Sequence, residues 1–148
     1  MDRILRLLTW PAALFIAGVL LWYEQYKLTG SDGSVWLFTV LSDWLFIPGY
    51  EKPFRLTVGI AEIAASLLVV IPFTRVAGAA AALGIMSGAI FFHVFSPLGI
   101  DPYHDGGFLF KEACGVWIAS IFILFVFRDE ALQLARQLIG TRHESATV

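Results

Sequence analysis

Cysteine is almost missing from this chain. Its 148 residues hold one, Cys114, which excludes an internal disulfide, a paired-thiol redox centre and a thiolate metal cluster. Charge is scarce too: Asp, Glu, Lys and Arg make up 15% of the residues, where a soluble domain carries them at about a quarter of its positions. The ten Lys and Arg stand against twelve Asp and Glu and form no basic run, which argues against nucleic acid as a partner. His93, His104, Asp101, Asp105 and Glu112 lack His-x-x-x-His or Glu-x-x-His spacing, so no metal site is expected. A nucleophile elbow, a Gly-rich phosphate loop and a haem-attachment motif are missing as well.

What is present is apolar. Hydrophobic residues make up 58% of the chain and the mean hydropathy is +0.76, so the solvent for most of the chain is lipid. A helix needs about 20 mostly apolar residues to cross the hydrocarbon core, because it rises about 1.5 Å per residue through roughly 30 Å. Residues 7–26, 54–71, 75–95 and 109–127 meet that length. The fold class expected is all-α: a four-helix transmembrane antiparallel bundle, one domain over residues 1–140, with a flexible tail over 141–148.

In the first span Thr9 is the expected cap, Pro11 is placed in the first turn, and Trp22, Tyr23 and Tyr26 form an interfacial aromatic belt. Arg3 and Arg6 before an apolar run also fit a secretory signal peptide. The run is too long for one and no small-x-small cleavage site precedes Glu24, which favours a membrane anchor. The second span stops at Pro72, the third before Ser96-Pro97, and the fourth is closed by Arg128 and Asp129.

Orientation follows from the basic residues of short loops. Arg3, Arg6, Arg75, Arg128, Arg136 and Arg142 fall on one side, which the rule makes cytoplasmic, together with both termini. Lys27, Lys52, Arg55 and Lys111 lie opposite, in longer loops that also carry acids. The first of these loops holds a short helix from Val35 to Phe46, capped by Ser34, that lies in the outer interface or dips into the bundle mouth. Ile47-Pro48-Gly49-Tyr50 turns the chain back, and residues 96–107 form a compact, lid-like connection. Residues 131–139 have the pattern of a short amphipathic surface helix.

Helices in lipid associate through close backbone approach and buried polar contacts. Gly84-x-x-x-Gly88 in the third span and Gly59 in the second are the expected packing positions, within the chain in preference to a dimer contact. Glu62 is the foremost candidate for chemistry, since a carboxylate inside the hydrocarbon zone costs at least about 2.5 kcal/mol. It is either a hydrogen-bonding staple between helices or a proton carrier that touches a ligand. Arg55 lies on the same helical face. His93 near the outer end of the third span, Glu24 and Lys27 at the end of the first, and Lys111 and Glu112 at the start of the fourth all reach the same membrane face. Each alone reads as an interface anchor; together with Glu62 they can line a polar mouth above an apolar cavity.

Several of these segments resemble one family: Tyr26-Lys27-Leu28, Ile47-Pro48-Gly49, the run Gly59-Ile60-Ala61-Glu62-Ile63-Ala64-Ala65 continuing to Pro72-Phe73-Thr74-Arg75, and Phe92-His93 after a small-residue third span. Over residues 14–127 the chain resembles the DoxX/DoxD-like membrane proteins, small four-span proteins of bacteria and archaea. The resemblance implies residence in the bacterial inner membrane, a four-helix bundle and ties to redox chemistry, because some members are subunits of thiosulfate:quinone oxidoreductases and others belong to membrane oxidoreductase complexes. Glu62 matches the family's second-span acid; with one cysteine, thiol-based sulfur chemistry is not expected.

Three functions remain open. The first is a quinone-linked oxidoreductase subunit that holds a lipophilic ligand, exchanges a proton through Glu62 or His93, and takes its electron carrier from a partner subunit. The second is a non-catalytic accessory or assembly subunit of a larger membrane complex. The third is a lipid or small-molecule carrier, which paired broken helices or inverted repeats would support and which shows neither.

Overall fold

The computed structural model describes the backbone of residues 2–144 and the side chains of residues 3–137. Within them lie six helices: α1 (Asp2–Thr29), α2 (Asp32–Trp44), α3 (Glu51–Val70), α4 (Arg75–Phe95), α5 (Phe108–Val126) and α6 (Arg128–Glu144). Four of these, α1, α3, α4 and α5, are long and apolar enough to cross a membrane, and the chain is a multi-pass membrane protein. They close into a ring in which α1 and α4 each pack on both α3 and α5. Tight α3–α4 and α5–α6 connections and the even number of spans bring the start of α1 and the start of α6 to one end. There the Arg6 guanidinium lies 5.2 Å from the Phe127 ring centroid. The opposite end carries α2 and the loop over residues 96–107, and is called the lid end below.

Apolar side chains gain nothing by leaving lipid, so the outward faces stay greasy. Leu14, Ile60, Leu67, Ile118 and Phe125 are all exposed. The inner faces at the terminal end pack Ala13, Ile16, Val69, Ala79, Val116 and Ile123 with no exposure. Gly78 sets the closest approach, because a Cβ there would lie 2.2 Å from the Val69 backbone nitrogen. Arg75, 3% exposed, locks the same corner. Its Nε donates to the Val69 carbonyl at 3.2 Å, Nη2 to the Val70 carbonyl at 3.4 Å and Nη1 to Thr9 Oγ1 at 3.1 Å, and its guanidinium stacks 4.0 Å from the Trp10 ring centroid. A cation thus meets the orphan carbonyls at the negative end of α3.

Several expected boundaries move. α1 begins at Asp2, so Thr9 is no cap: it donates to the Arg6 carbonyl at 2.6 Å and accepts from Arg75. Pro11 lies inside the helix, beyond the first turn. α2 begins at Asp32, with Ser31 in the cap position, and Ser34 is buried inside it. The reason is Gly30, whose φ of +68° ends α1 early enough for Ser31 to start the next helix. Phe46, expected to end α2, instead occupies a left-handed turn with φ 59° after it and is 92% exposed. α6 follows α5 across Phe127 alone and continues through 144, over part of the expected tail; residues 145–148 lie outside the described ones. Leu132 on α6 is exposed, and Ala131 and Leu134 are half-buried.

The third-span glycines behave differently from expectation. A Cβ at Gly84 or Gly88 would meet nothing within 4 Å, so this pair brings no helix close; Gly78 does. Gly78→Ala should lower the stability of the detergent-solubilised protein by about 1–3 kcal/mol, as overpacking does, and Gly84→Ala should leave it unchanged. Thermal unfolding of the two variants beside the wild type checks the contrast.

Candidate ligand-binding site

Where the terminal end is packed solid, the lid end is hollow. A cavity of about 810 Å³ lies among the lid-end halves of all four spans, with α2 and the lid loop across it. This is the size of a small-molecule site. Its volume comes from small side chains on its walls: Ala61 on α3, Gly84, Gly88 and Ala89 on α4, and Ala113 on α5. An aromatic seam seats α2 over it. Phe38 meets Phe54 at 5.3 Å between centroids, Phe54 meets Phe92 at 6.1 Å, and Trp44 meets Phe92 at 6.0 Å.

The walls carry two polar clusters. In the first, Lys27 Nζ donates to Glu24 Oε1 at 3.1 Å and also to Glu62 Oε2. Lys27 and Glu62 line the cavity; Glu24 lies behind them against Gly59, where a Cβ would stand 2.6 Å from Glu24 Oε2. Gly59 therefore makes room for a carboxylate, which is a packing role of another kind than helix approach. Glu62 and Glu24 are 5% and 4% exposed, and Glu24 Oε2 is buried without a hydrogen-bond partner. Arg55 is buried outside the cavity lining, where it donates to a Glu51 carboxylate oxygen and to the Lys27 carbonyl. It closes the negative end of α1 as Arg75 closes that of α3.

In the second cluster the Tyr23 hydroxyl donates to Glu112 Oε2 across α1 and α5, and both line the cavity. His93, 4% exposed, stands on the α4 wall. Its Nδ1 is 2.6 Å from the Gly99 carbonyl, an acceptor only, so Nδ1 carries a hydrogen, and Nε2 has no hydrogen-bond partner among the described residues.

Of the seven residues singled out from the sequence, Glu62, Lys27, Glu112 and His93 line the hollow, and Glu24 and Arg55 join them only through contacts with Lys27. Lys111 does neither: it is exposed, beside Gly106 of the loop. Sequence reading missed the roles of Tyr23 and Glu51. Glu51 was legible in principle, since it lies four residues before Arg55, the helical spacing of facing side chains; the Tyr23–Glu112 contact crosses from α1 to α5 and leaves no such spacing. Among the described residues, no three His, Cys, Asp or Glu side chains gather closely enough to hold a metal ion.

Besides the His93–Gly99 contact, the lid is tied to α2 and braced within itself. The Tyr103 hydroxyl donates to the Gly33 carbonyl at 3.0 Å and its ring lies 6.1 Å from that of Trp36, which ties the loop to α2. Asp101 accepts the backbone N–H of Asp105 at 3.0 Å and of Gly106 at 3.3 Å. The backbone amides of Gly107, Asp105 and Gly106 hold its carboxyl below the usual carboxylate range.

In comparisons with family models, curated proteins and solved structures, nothing matches the chain.

A lowered carboxyl pKa means that Asp101 steadies the loop above the ordinary carboxylate range and ceases to as pH falls through the depressed value. Asp101→Ala should therefore speed amide hydrogen exchange over residues 101–107 several-fold at neutral pH. Wild-type protein should show the same acceleration only in acid, after correction for intrinsic exchange.

Proposed function

We propose that the chain is a redox-associated membrane subunit of DoxX-like type, whose lid-end cavity holds a lipophilic ligand of the quinone class that exchanges a proton with Glu62 or His93. The observation that carries this reading is one apolar hollow whose wall presents a buried Lys27–Glu62 pair and a histidine with a free ring nitrogen. Lys27 Nζ is placed to donate, and His93 Nε2 to accept. Such a pair of contacts suits a molecule with carbonyl or hydroxyl oxygens on an apolar body, and the small-residue walls suit a ring and tail. Electrons come from a partner subunit, because the chain's sole Cys114 makes no redox pair and the sequence carries no haem motif. The membrane is the bacterial inner membrane. Arg3, Arg6, Arg75, Arg128 and Arg136 support a cytoplasmic terminal end.

A short-tailed quinone added to the protein in mild detergent should raise its melting temperature, by an amount that grows with ligand concentration as linkage requires. Gly88→Phe, which puts a ring into open space, should abolish the shift with the fold intact, and Glu62→Gln should weaken binding about tenfold or more. A wild-type melting temperature indifferent to quinones sinks the ligand reading. Loss of binding in Gly88→Phe with complex assembly and activity intact turns the chain into an accessory subunit. Separately, tags at the N- and C-termini should both be reached by a membrane-impermeant reagent only after the cytoplasmic side is opened; labelling of either from outside refutes the orientation.

A further inference from the structure

Two carboxylates meet one ammonium in the cavity wall. Lys27 Nζ bonds Glu24 Oε1 and Glu62 Oε2, and among the described residues no second cation reaches either acid. The neighbours on every packed element are committed elsewhere. On α3, Arg55 is held by Glu51 and the Lys27 carbonyl. Tyr23 of α1 is held by Glu112 of α5, and His93 of α4 gives its N–H to Gly99. α2 buries Ser34, Phe38, Leu41 and Ser42, none of them charged, and Asp105 of the lid is exposed. With all three groups ionised, the cluster keeps one uncompensated negative charge inside a membrane bundle, which is costly.

The geometry shows where that charge is answered. Glu24 Oε2 is buried and has no hydrogen-bond partner, although a buried carboxylate oxygen ordinarily accepts one. The Glu24 and Glu62 carboxylates flank the same Lys27 Nζ, one oxygen of each bonded to it. Gly59, by lacking a Cβ, opens the space that Glu24 Oε2 occupies. A hydrogen on one carboxyl supplies the missing donor and cancels the surplus charge at once.

We propose that Glu24 and Glu62 share one bound proton, so that the Glu24–Lys27–Glu62 cluster is a neutral proton-binding site set into the cavity wall. Glu24 is its buried member and Glu62 its cavity-facing member, while Lys27 holds the pair in register. The site exists in the ligand-free protein; only its use as the proton source for a cavity ligand rests on the reading above.

Infrared spectroscopy of the ligand-free protein in lipid nanodiscs tests this. At neutral pH the wild type should show the C=O stretch of a protonated carboxylic acid. Glu24→Gln and Glu62→Gln should each remove it, because the remaining acid then pairs with Lys27 as a carboxylate. Lys27→Met should raise the band to roughly twice its area, since both acids then lose their counterion. A wild type without the band, or a band that survives in both glutamine variants, overturns the proposal. Where Lys27→Met does not fold, the wild type still decides: alkali should release one proton per chain as the band disappears, equally in sodium and potassium salts. Loss of the band when sodium replaces potassium at fixed pH would overturn the proposal by making a metal ion the counter-charge. Failure of quinone binding leaves this band untouched, so the two readings fail separately.

Discussion

Hydrocarbon offers no hydrogen bonds, so each polar group that enters the bundle must find its partner in the protein itself. Arg75 and Arg55 meet this constraint in the same way at opposite ends. Each guanidinium lies buried against the carbonyl-rich end of a span: Arg75 on Val69 and Val70 of α3, Arg55 on Lys27 of α1. Arg75 also reaches a second element, Thr9 of α1, while Arg55 is steadied by Glu51 on its own helix. These contacts fix the axial register of α1 against α3, and that register is what brings Lys27 beside Glu62.

Solid packing at one end and a hollow at the other follow from the same kind of residue used in two ways. Near the α3–α4 turn, Gly78 lets backbone meet backbone. One to three turns further along α4, Gly84 and Gly88 are just as small, but they face the cavity and nothing fills the space in front of them. The aromatic seam of Phe38, Phe54, Phe92 and Trp44 joins α2 to α3 and α4 over that space.

The polar groups in that hollow form pairs that cross helices. Lys27 on α1 joins Glu62 on α3, and Tyr23 on α1 joins Glu112 on α5. A cavity whose apolar volume is edged by such pairs, with His93 presenting a free nitrogen, has the makings of a site for an amphipathic molecule. The surplus acid of the Glu24–Lys27–Glu62 cluster puts a titratable group beside it.

By itself the sequence determined the number of spans, their approximate limits, the short helix before α3, the lid, and the end of the bundle at which the ionisable residues gather. Those features depend on hydropathy over about 20 residues and on Gly and Pro punctuation, which are local. Helix starts were less legible: Thr9 is taken up by a tertiary contact with Arg75, and the Ser34 cap failed because the left-handed turn at Gly30 lets the next helix start at Asp32. Only the tertiary structure decided that Gly78 is the close contact and Gly84 and Gly88 are cavity wall, that Lys111 stands apart from the site, and that Lys27 serves two acids at once. Each of those depends on the angle and axial offset between helices, and residue spacing along one helix carries no information about either.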